Sequence, residues 1–209
     1  MKNSKLPLYL VNHYDNFESK IKSKLLEFEM VSQNQYFYEL CFCICTPQSK
    51  AIYALEVQKK LIDIDFLNKG SNPIEILNSK EHYIRFHNQK AFRLLKIRED
   101  WCEILNMLNS EINPKEKRLW LSKNINGIGM KESAHFMRNI GYKNLGILDR
   151  HILKHLVLCG IYKEVPKINS QKQYEEVEFA FLNFSKEIKI PMDELDLLFW
   201  SYQVGDVFK

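Results

Sequence analysis

The chain has 209 residues, of which 45% are hydrophobic and 27% are charged, a balance that is typical of a globular protein with one domain or two small lobes. Its net charge of +4 and pI of about 8.7 permit a nucleic-acid partner, although a dedicated nucleic-acid-binding domain is usually more basic. The sequence contains neither an apolar run of the ~18 residues that a membrane helix needs nor a convincing secretory signal, so we expect a cytoplasmic protein without membrane contact.

The spacing of apolar residues is helical along nearly the whole chain, and no segment shows the alternation of a β-strand. In chain order, helices are predicted at 17–30, 36–45, 50–62, 72–78, about 88–109, 113–125, 130–140, 148–160, 170–188 and 191–204. Ser49 is the expected cap of the third helix, and Gly141 and Gly160 are expected to end two others. The prediction is an all-α fold of roughly nine or ten helices joined by short connections.

The helix at 36–45 is apolar almost all round, which is typical of a central, buried helix. It carries three of the five cysteines, at positions 41, 43 and 45, which we interpret as small buried side chains. No C-x-x-C pair is present, and His151 and His155, although four residues apart on one predicted helix, lack a nearby acidic third ligand. No metal site is therefore expected.

The turn Asn126-Gly127-Ile128-Gly129 joins two predicted helices into a hairpin at about 119–140. Glycines allow a positive φ and the close approach of another backbone. The free N–H groups of such a turn, together with the N-terminus of the next helix, can bind a phosphate, and Ile128 would hold the turn against the core. The alternative is an ordinary corner between two helices, because a Gly-x-Gly pattern by itself is weakly specific.

Lys131 lies in the first turn of the helix after the hairpin, where the helix dipole disfavours a cation. Its amine could attack an electrophilic carbon to give a Schiff base, or it could contact only phosphate or solvent. Asp149 follows 18 residues later and is a natural N-cap, whose negative charge the backbone N–H groups would stabilise. The same carboxylate could stabilise positive charge at a reacting sugar, so the capping and the catalytic interpretations are compatible.

The segment Gly127-Ile128-Gly129-Met130-Lys131, followed by Asp149, resembles the helix-hairpin-helix signature of the endonuclease III superfamily of DNA glycosylases. The segments ELCFCICTPQSKA, RFHNQKA, GIGMKESAHFMRNIGY and ILDRHIL, with the LDLLFW…G…K tail, are similar to the small second family of 8-oxoguanine DNA glycosylase/AP lyases of archaea and some bacteria. The resemblance covers roughly residues 35–209. It implies a helix-hairpin-helix glycosylase fold with two helical lobes, 31–140 and 1–30 plus 141–209, and an active site in the cleft between them.

The resemblance assigns roles to the hairpin and to the segments that follow it. Lys131 would be the nucleophile and Asp149 the essential carboxylate, while Gly127 and Gly129 would hold the DNA backbone. His135, on the hairpin helix, is expected to meet a DNA phosphate.

The resemblance also indicates a pocket for the damaged base. Phe86 and Trp200 would form its aromatic walls, and Lys209, the last residue, would take part in recognising the oxidised guanine. For the two aromatic residues, ordinary core packing is the alternative interpretation.

The family chemistry implies excision of 8-oxoguanine from double-stranded DNA through a lysine Schiff base, followed by β-elimination that cleaves the strand on the 3′ side. It requires no cofactor, and since only Cys159 lies beyond the hairpin, the iron–sulfur cluster of endonuclease III, which needs four cysteines, is not expected. We expect a monomer that associates with the nucleoid when it acts on DNA. Three alternatives stay open: a glycosylase/lyase for oxidised pyrimidines, since the hairpin and the Lys–Asp pair do not specify the base; a non-catalytic helix-hairpin-helix DNA-binding protein; and a helical protein–protein scaffold.

Overall fold

The computed structural model describes residues 5–209, and within this range the chain is helical and contains no strand. The elements are α1 (Leu8–Glu29), α2 (Gln33–Cys45), α3 (Ala51–Asp63), α4 (Phe66–Lys69), α5 (Ile74–Leu77), α6 (His87–Glu99), α7 (Trp101–Asn109), α8 (Pro114–Asn124), α9 (Met130–Asn139), α10 (Arg150–Leu158), α11 (Gln171–Ile188) and α12 (Met192–Val204). The prediction of an all-α fold is confirmed. No helix among the described residues is both long and apolar enough to cross a membrane.

The prediction of a single helix at about 88–109 is wrong, because the helix is interrupted at Asp100 and the chain forms α6 and α7 instead. The Asp100 N–H donates to Arg98 O as well as to Lys96 O, so the α-helical pattern is disturbed at this residue. After the break, the Trp101 ring packs edge-on against Phe37, with ring centroids 5.2 Å apart. Neither a glycine nor a proline marks the break in the sequence, and the helical spacing of apolar residues continues across it. The sequence pattern therefore predicts one helix.

Ser49 is not the cap that the sequence predicts for α3. Lys50 takes the N-cap position and makes no side-chain capping hydrogen bond. The Ser49 Oγ instead accepts from the Arg85 N–H at 3.0 Å and from Lys90 Nζ at 3.3 Å. A contact between distant parts of the chain has replaced the local one.

Residues 31–136 form one compact unit. Its centre is α2, in which every residue from Phe37 to Cys45 is buried, the three cysteines included. The interpretation of α2 as a central helix with cysteines in the core is therefore confirmed. Both α3 and α6 pack against α2, and the buried Glu39 carboxylate of α2 accepts a hydrogen bond from the Gln58 amide of α3 at 2.8 Å.

Residues 5–30 and 137–209 form the other unit, in which α1, α10 and α11 pack against α12. The carboxylates of α12 that face inward have polar partners: Asp196 accepts from Arg138 Nη1 at 2.8 Å, and Asp193 accepts from the Asn144 N–H. Burial raises the pKa of Asp196 to about 7, although the Arg138 guanidinium acts in the opposite direction, and the charge of Asp149 adds to the increase.

The predicted ends of two helices are confirmed. Gly141 (φ +92°) follows α9 and Gly160 (φ +75°) follows α10, both in the left-handed conformation that glycine adopts without steric cost. The next residue reaches back into the helix in each case, because the Tyr142 N–H donates to Met137 O and the Ile161 N–H donates to Leu156 O. This is the bonding pattern of a Schellman helix end.

The raised pKa of Asp196 predicts a pH-dependent stability. Since the folded-state pKa of about 7 lies above the ordinary value of 3.8, the stabilising contribution of the protonated carboxyl is fully present below pH ~4 and is lost as the pH rises through ~7. The free energy of unfolding of the wild-type protein should therefore fall relative to that of Asp196→Asn, which does not titrate, between about pH 4 and pH 7, and should level off above pH ~7. Chemical denaturation at constant ionic strength measures this difference, and a difference that does not change with pH would contradict the prediction.

Candidate functional site

The predicted hairpin consists of α8, the turn at 125–129 and α9. Gly127 has a φ of +97°, which L side chains rarely adopt, and the buried Ile128 holds the turn against the core, as expected. A Cβ added at Gly127 would lie 2.4 Å from Arg93 Cδ and 2.7 Å from Arg93 Cζ. The missing side chain at Gly127 thus leaves space for the Arg93 side chain of α6 against the turn.

The N–H groups of the turn differ in their partners. The Gly129 N–H donates to Glu132 Oε2 at 3.2 Å, whereas the Gly127 N–H has no acceptor among the residues that the structure describes. The first N–H groups of α9 also lack intrahelical acceptors, as at the start of any helix. N–H groups gathered at the positive end of a helix suit a phosphate oxygen.

Lys131 lies on the first turn of α9, with 38% of its side chain exposed. Its Nζ is 2.9 Å from Glu132 Oε1, and Glu132 uses its other carboxylate oxygen to accept from the Gly129 N–H. One carboxylate therefore links the candidate nucleophile to the turn. The sequence analysis did not identify Glu132, although Gly129-x-x-Glu132 has the spacing of a capping box, in which the third residue of a helix reaches back to the N-cap.

Asp149 is the N-cap of α10, as predicted. Its Oδ1 accepts from the His151 N–H and the Ile152 N–H, both at 2.8 Å. Its Oδ2 makes no hydrogen bond with any of the residues 5–209. One oxygen of the carboxylate thus caps the helix while the other is available for a second task.

Phe86 is not a core residue, so the alternative interpretation of this side chain is wrong. It is 44% exposed, and its backbone is left-handed with a φ of 60°, a conformation that is unfavourable for a bulky side chain. The Arg85 guanidinium lies 5.0 Å from the centroid of the Phe86 ring. An exposed aromatic residue with a strained backbone is typical of a functional position.

A buried lysine that the sequence analysis did not identify lies one turn after Phe86. The Lys90 Nζ donates to Cys45 O at 2.8 Å and to Pro47 O at 2.7 Å, at the end of α2. Burial lowers the pKa of Lys90 to about 8. The available signal in the sequence was that Lys90 shares the apolar stripe of α6 with Leu94, four residues later.

Trp200 is half-buried near the end of α12, and the Phe208 ring stacks on it with centroids 6.3 Å apart and planes inclined by 21°. The intervening tail is anchored because Val207 is buried. Lys209 follows and is half-buried. The tail therefore packs against the helix that carries the second candidate pocket residue.

His135 is half-buried on α9, with its ring edge-on to Phe42 at a centroid distance of 5.7 Å. The His155 ring stacks on Phe199, with centroids 4.6 Å apart, and its Nδ1 lies 2.9 Å from His151 O. His155 is thus engaged in packing. In the range 5–209, no group of three or more metal-ligating side chains comes together.

The candidate residues divide between the two units. The unit of residues 31–136 contains Phe86, Gly127, Gly129, Lys131 and His135. The other unit contains Asp149, Trp200 and Lys209. Each unit therefore provides one of the two candidate catalytic residues.

Comparisons with known proteins agree on one family. A family model described as 8-oxoguanine DNA glycosylase matches residues 21–190. An 8-oxoguanine DNA glycosylase/AP lyase of Fusobacterium nucleatum is 38% identical over 208 residues and covers 94% of each chain, and one of Methanocaldococcus jannaschii is 33% identical, covering 100% of this chain and 96% of its own. The crystal structure of the Methanocaldococcus jannaschii enzyme in complex with a 15mer DNA containing 8-oxoguanine matches with a TM-score of 0.83 at 31% identity, covering 97% of this chain and all of that chain.

Substitution of Gly127 tests the function of the hairpin. Gly127→Ala should cost about 1–2 kcal/mol of stability, because alanine is unfavourable in a left-handed conformation, and should displace Arg93 from the turn. Gly160→Ala is the matched control, since Gly160 also has a positive φ (+75°) but a Cβ there meets nothing within 4 Å. Chemical denaturation and duplex binding, measured on both variants, should show similar losses of stability but weaker DNA binding for Gly127→Ala alone. Equal DNA binding by the two variants would refute the assignment of the hairpin to DNA.

Proposed function

Since the chain belongs to the 8-oxoguanine DNA glycosylase family, we propose that it removes 8-oxoguanine from double-stranded DNA and cleaves the strand at the resulting abasic site. The observation that carries the proposal is the position of Lys131, which lies on the first turn of α9 directly behind the Gly127–Gly129 turn. A hairpin that only binds DNA needs the glycines and their N–H groups but not this lysine. A reactive amine next to a phosphate-binding turn fits chemistry on the sugar of a bound nucleotide.

DNA binding is the first step of the proposed mechanism. The Gly127 N–H and the N-terminus of α9 would hold a phosphate of the DNA backbone, with His135 as a further contact. The damaged nucleotide must leave the helix before its C1′ can be reached, at a cost of a few kcal/mol. Stacking of the extruded base on Phe86 and Trp200 would offset that cost, at about 1–3 kcal/mol for each aromatic contact.

Lys131 would then act as the nucleophile. Its ammonium group is paired with Glu132 at 2.9 Å, so it must leave this partner and lose a proton before its nitrogen can attack. The nitrogen forms a bond to C1′ while the bond between C1′ and the base breaks, and the electron pair of that bond leaves with the base, which takes up a proton. Opening of the sugar ring gives a Schiff base between Lys131 and C1′.

The Schiff base makes strand cleavage possible. It draws electrons from C2′, so that a proton is lost there, a double bond forms between C2′ and C3′, and the phosphate on the 3′ side leaves. Asp149 is our candidate for stabilising the positive charge at C1′ and for proton transfer. Its Oδ1 is occupied by the cap of α10, and Oδ2 would perform the chemistry.

Recognition of the oxidised base is the third part of the proposal. We assign it to Phe86, Trp200 and Lys209, in agreement with the exposed, strained position of Phe86 and with the tail that packs Phe208 on Trp200. We further propose that the protein acts as a monomer in the cytoplasm, at the nucleoid. None of the proposed steps uses an iron–sulfur cluster or another cofactor, so we propose that it works without one.

Trapping with borohydride tests the Schiff base. The wild-type protein, incubated with a labelled duplex that contains one 8-oxoguanine, should form a covalent complex that survives a denaturing gel. Lys131→Gln should form none, because its amide nitrogen is not a nucleophile. Lys172→Gln is the matched control, since this lysine on α11 is 87% exposed, and it should trap as the wild type does.

Asp149→Asn separates chemistry from folding in the same assay. The asparagine oxygen can accept the same two N–H groups, so stability should stay within about 0.5 kcal/mol of the wild type, while trapping should slow by roughly 10²-fold or more. Normal binding of the wild-type protein to the 8-oxoguanine duplex, with no covalent complex after borohydride, would overturn the proposal for 8-oxoguanine. Trapping on a duplex with an oxidised pyrimidine would then favour that substrate, and failure on every lesion would favour a non-catalytic DNA-binding protein.

Alanine substitution tests the base pocket. Phe86→Ala and Trp200→Ala should each weaken binding to the lesion duplex by about 1–3 kcal/mol and leave binding to undamaged DNA unchanged. Phe92→Ala, which removes an exposed aromatic side chain of α6, is the control and should change neither. Fluorescence anisotropy gives the affinities of the wild type and of each variant for the lesion duplex and for an undamaged duplex. Unchanged affinity for the lesion duplex in both Phe86→Ala and Trp200→Ala would rule out the pocket.

A further inference from the structure

Three of the four lysine and arginine residues of α6 already have a partner. Lys90 donates to the carbonyl groups of Cys45 and Pro47. Lys96 pairs with Asp100 at 2.7 Å, and the Arg98 guanidinium lies 5.3 Å from the centroid of the Phe66 ring. Lys90 and Lys96 are thus paired within the protein, whereas Arg98 packs on an aromatic ring and its buried Nη1 has no hydrogen-bond partner in the described part of the chain.

Arg93 has neither a paired group nor an aromatic ring as a partner in the described range. It makes neither a hydrogen bond nor a salt bridge with any of the residues 5–209, and it is half-buried. Its positive charge is felt by Lys90, one turn earlier, whose pKa it helps to lower. The described residues provide no salt bridge for this guanidinium, so its charge is available to an anion from outside.

The position of Arg93 identifies the class of that anion. Its Cδ, Nε and Cζ atoms occupy the space that a Cβ of Gly127 would fill, at 2.4, 2.5 and 2.7 Å from the ideal Cβ position. The Gly127 N–H next to it has no acceptor within the described part of the chain. A planar group of N–H donors and a free backbone N–H side by side match the oxygens of one phosphate group.

We propose that Arg93 is a DNA-binding residue, which contacts the same backbone phosphate as the Gly127–Gly129 turn. The inference rests on the proposed function in that the phosphate belongs to DNA. The glycine at position 127 then has two tasks, because it frees the backbone N–H and it leaves room for the guanidinium. Arg93 adds affinity for every DNA sequence and no preference for the lesion, since a phosphate carries no information about the base.

A structural role for Arg93 is the competing explanation, in which its aliphatic part only packs against the turn. The two explanations differ in their salt dependence. A cation that neutralises a phosphate releases counterions, so log affinity falls as log salt concentration rises. Removing one such cation makes this negative slope shallower by about 0.9. Loss of packing alone lowers stability and leaves this slope unchanged.

The experiment is binding of an undamaged duplex over a range of salt concentrations, measured by fluorescence anisotropy with the full chain. Arg93→Gln should make the negative slope shallower by about 0.9, while Arg93→Lys, which keeps the charge, should retain the wild-type slope. Lys96→Gln is the matched control, since it removes one positive charge from the same helix at a residue that pairs within the protein, and its slope should equal that of the wild type.

Three results would overturn the inference: an unchanged slope in Arg93→Gln, an equal loss in Lys96→Gln, or an equal loss in Arg93→Lys. Borohydride trapping on the 8-oxoguanine duplex with the same wild-type preparation keeps the two proposals apart. Trapping together with an unchanged slope in Arg93→Gln refutes only the role of Arg93. A changed slope without trapping refutes only the glycosylase/lyase activity.

Discussion

The left-handed conformation of Gly127 is the constraint on which the hairpin depends. It turns the chain within five residues between α8 and α9, with Ile128 buried beneath the turn. The same conformation leaves the Gly127 N–H without an internal acceptor in the described range and makes space for the Arg93 side chain. It also places Lys131 on the first helical turn that follows. A Cβ at this position would therefore disturb both the turn and the neighbouring cation.

Two carboxylates near helix N-termini use their two oxygens differently. Asp149 caps α10 with Oδ1 alone, and Glu132 accepts from the Gly129 N–H with Oε2 while Oε1 contacts Lys131. A helix N-terminus stabilises negative charge, so both groups are kept in place by the structure that they cap. In the proposed mechanism, a phosphate bound at the turn would compete with Glu132 for the Gly129 N–H.

Buried cations hold the loops from which the exposed residues project. Lys90 binds the carbonyl groups at the end of α2 and contacts Ser49, which also accepts from the Arg85 N–H beside the strained Phe86. In the other unit, the buried Arg138 pairs with Asp196 next to the cap of α10. Such groups are costly to bury without partners, and each pair therefore specifies one arrangement of the neighbouring chain.

Much of the local structure could be predicted from the sequence, because its signals lie within a few residues of one another. The apolar stretch of α2, the Gly127-x-Gly129 turn and the Asp149 cap each depend on side chains and backbone groups that are neighbours along the chain. The family was also recognisable from such short segments. The break at Asp100 was missed, because no glycine or proline accompanies it, and Ser49 was assigned to a local cap although its partners are 36 and 41 residues away.

The tertiary structure alone decided which side chains meet across the chain. A helical period shows that Arg93 lies on α6, but it contains no information on the turn, more than thirty residues later, against which it packs. Burial likewise separated Phe86, which is exposed, from the many aromatic residues of the core. The sequence by itself thus determined the all-α class, most of the helices, the hairpin and the candidate lysine and aspartate, since these follow from local backbone preferences and short motifs. The surroundings of these residues depend on packing between distant segments, which no local pattern encodes.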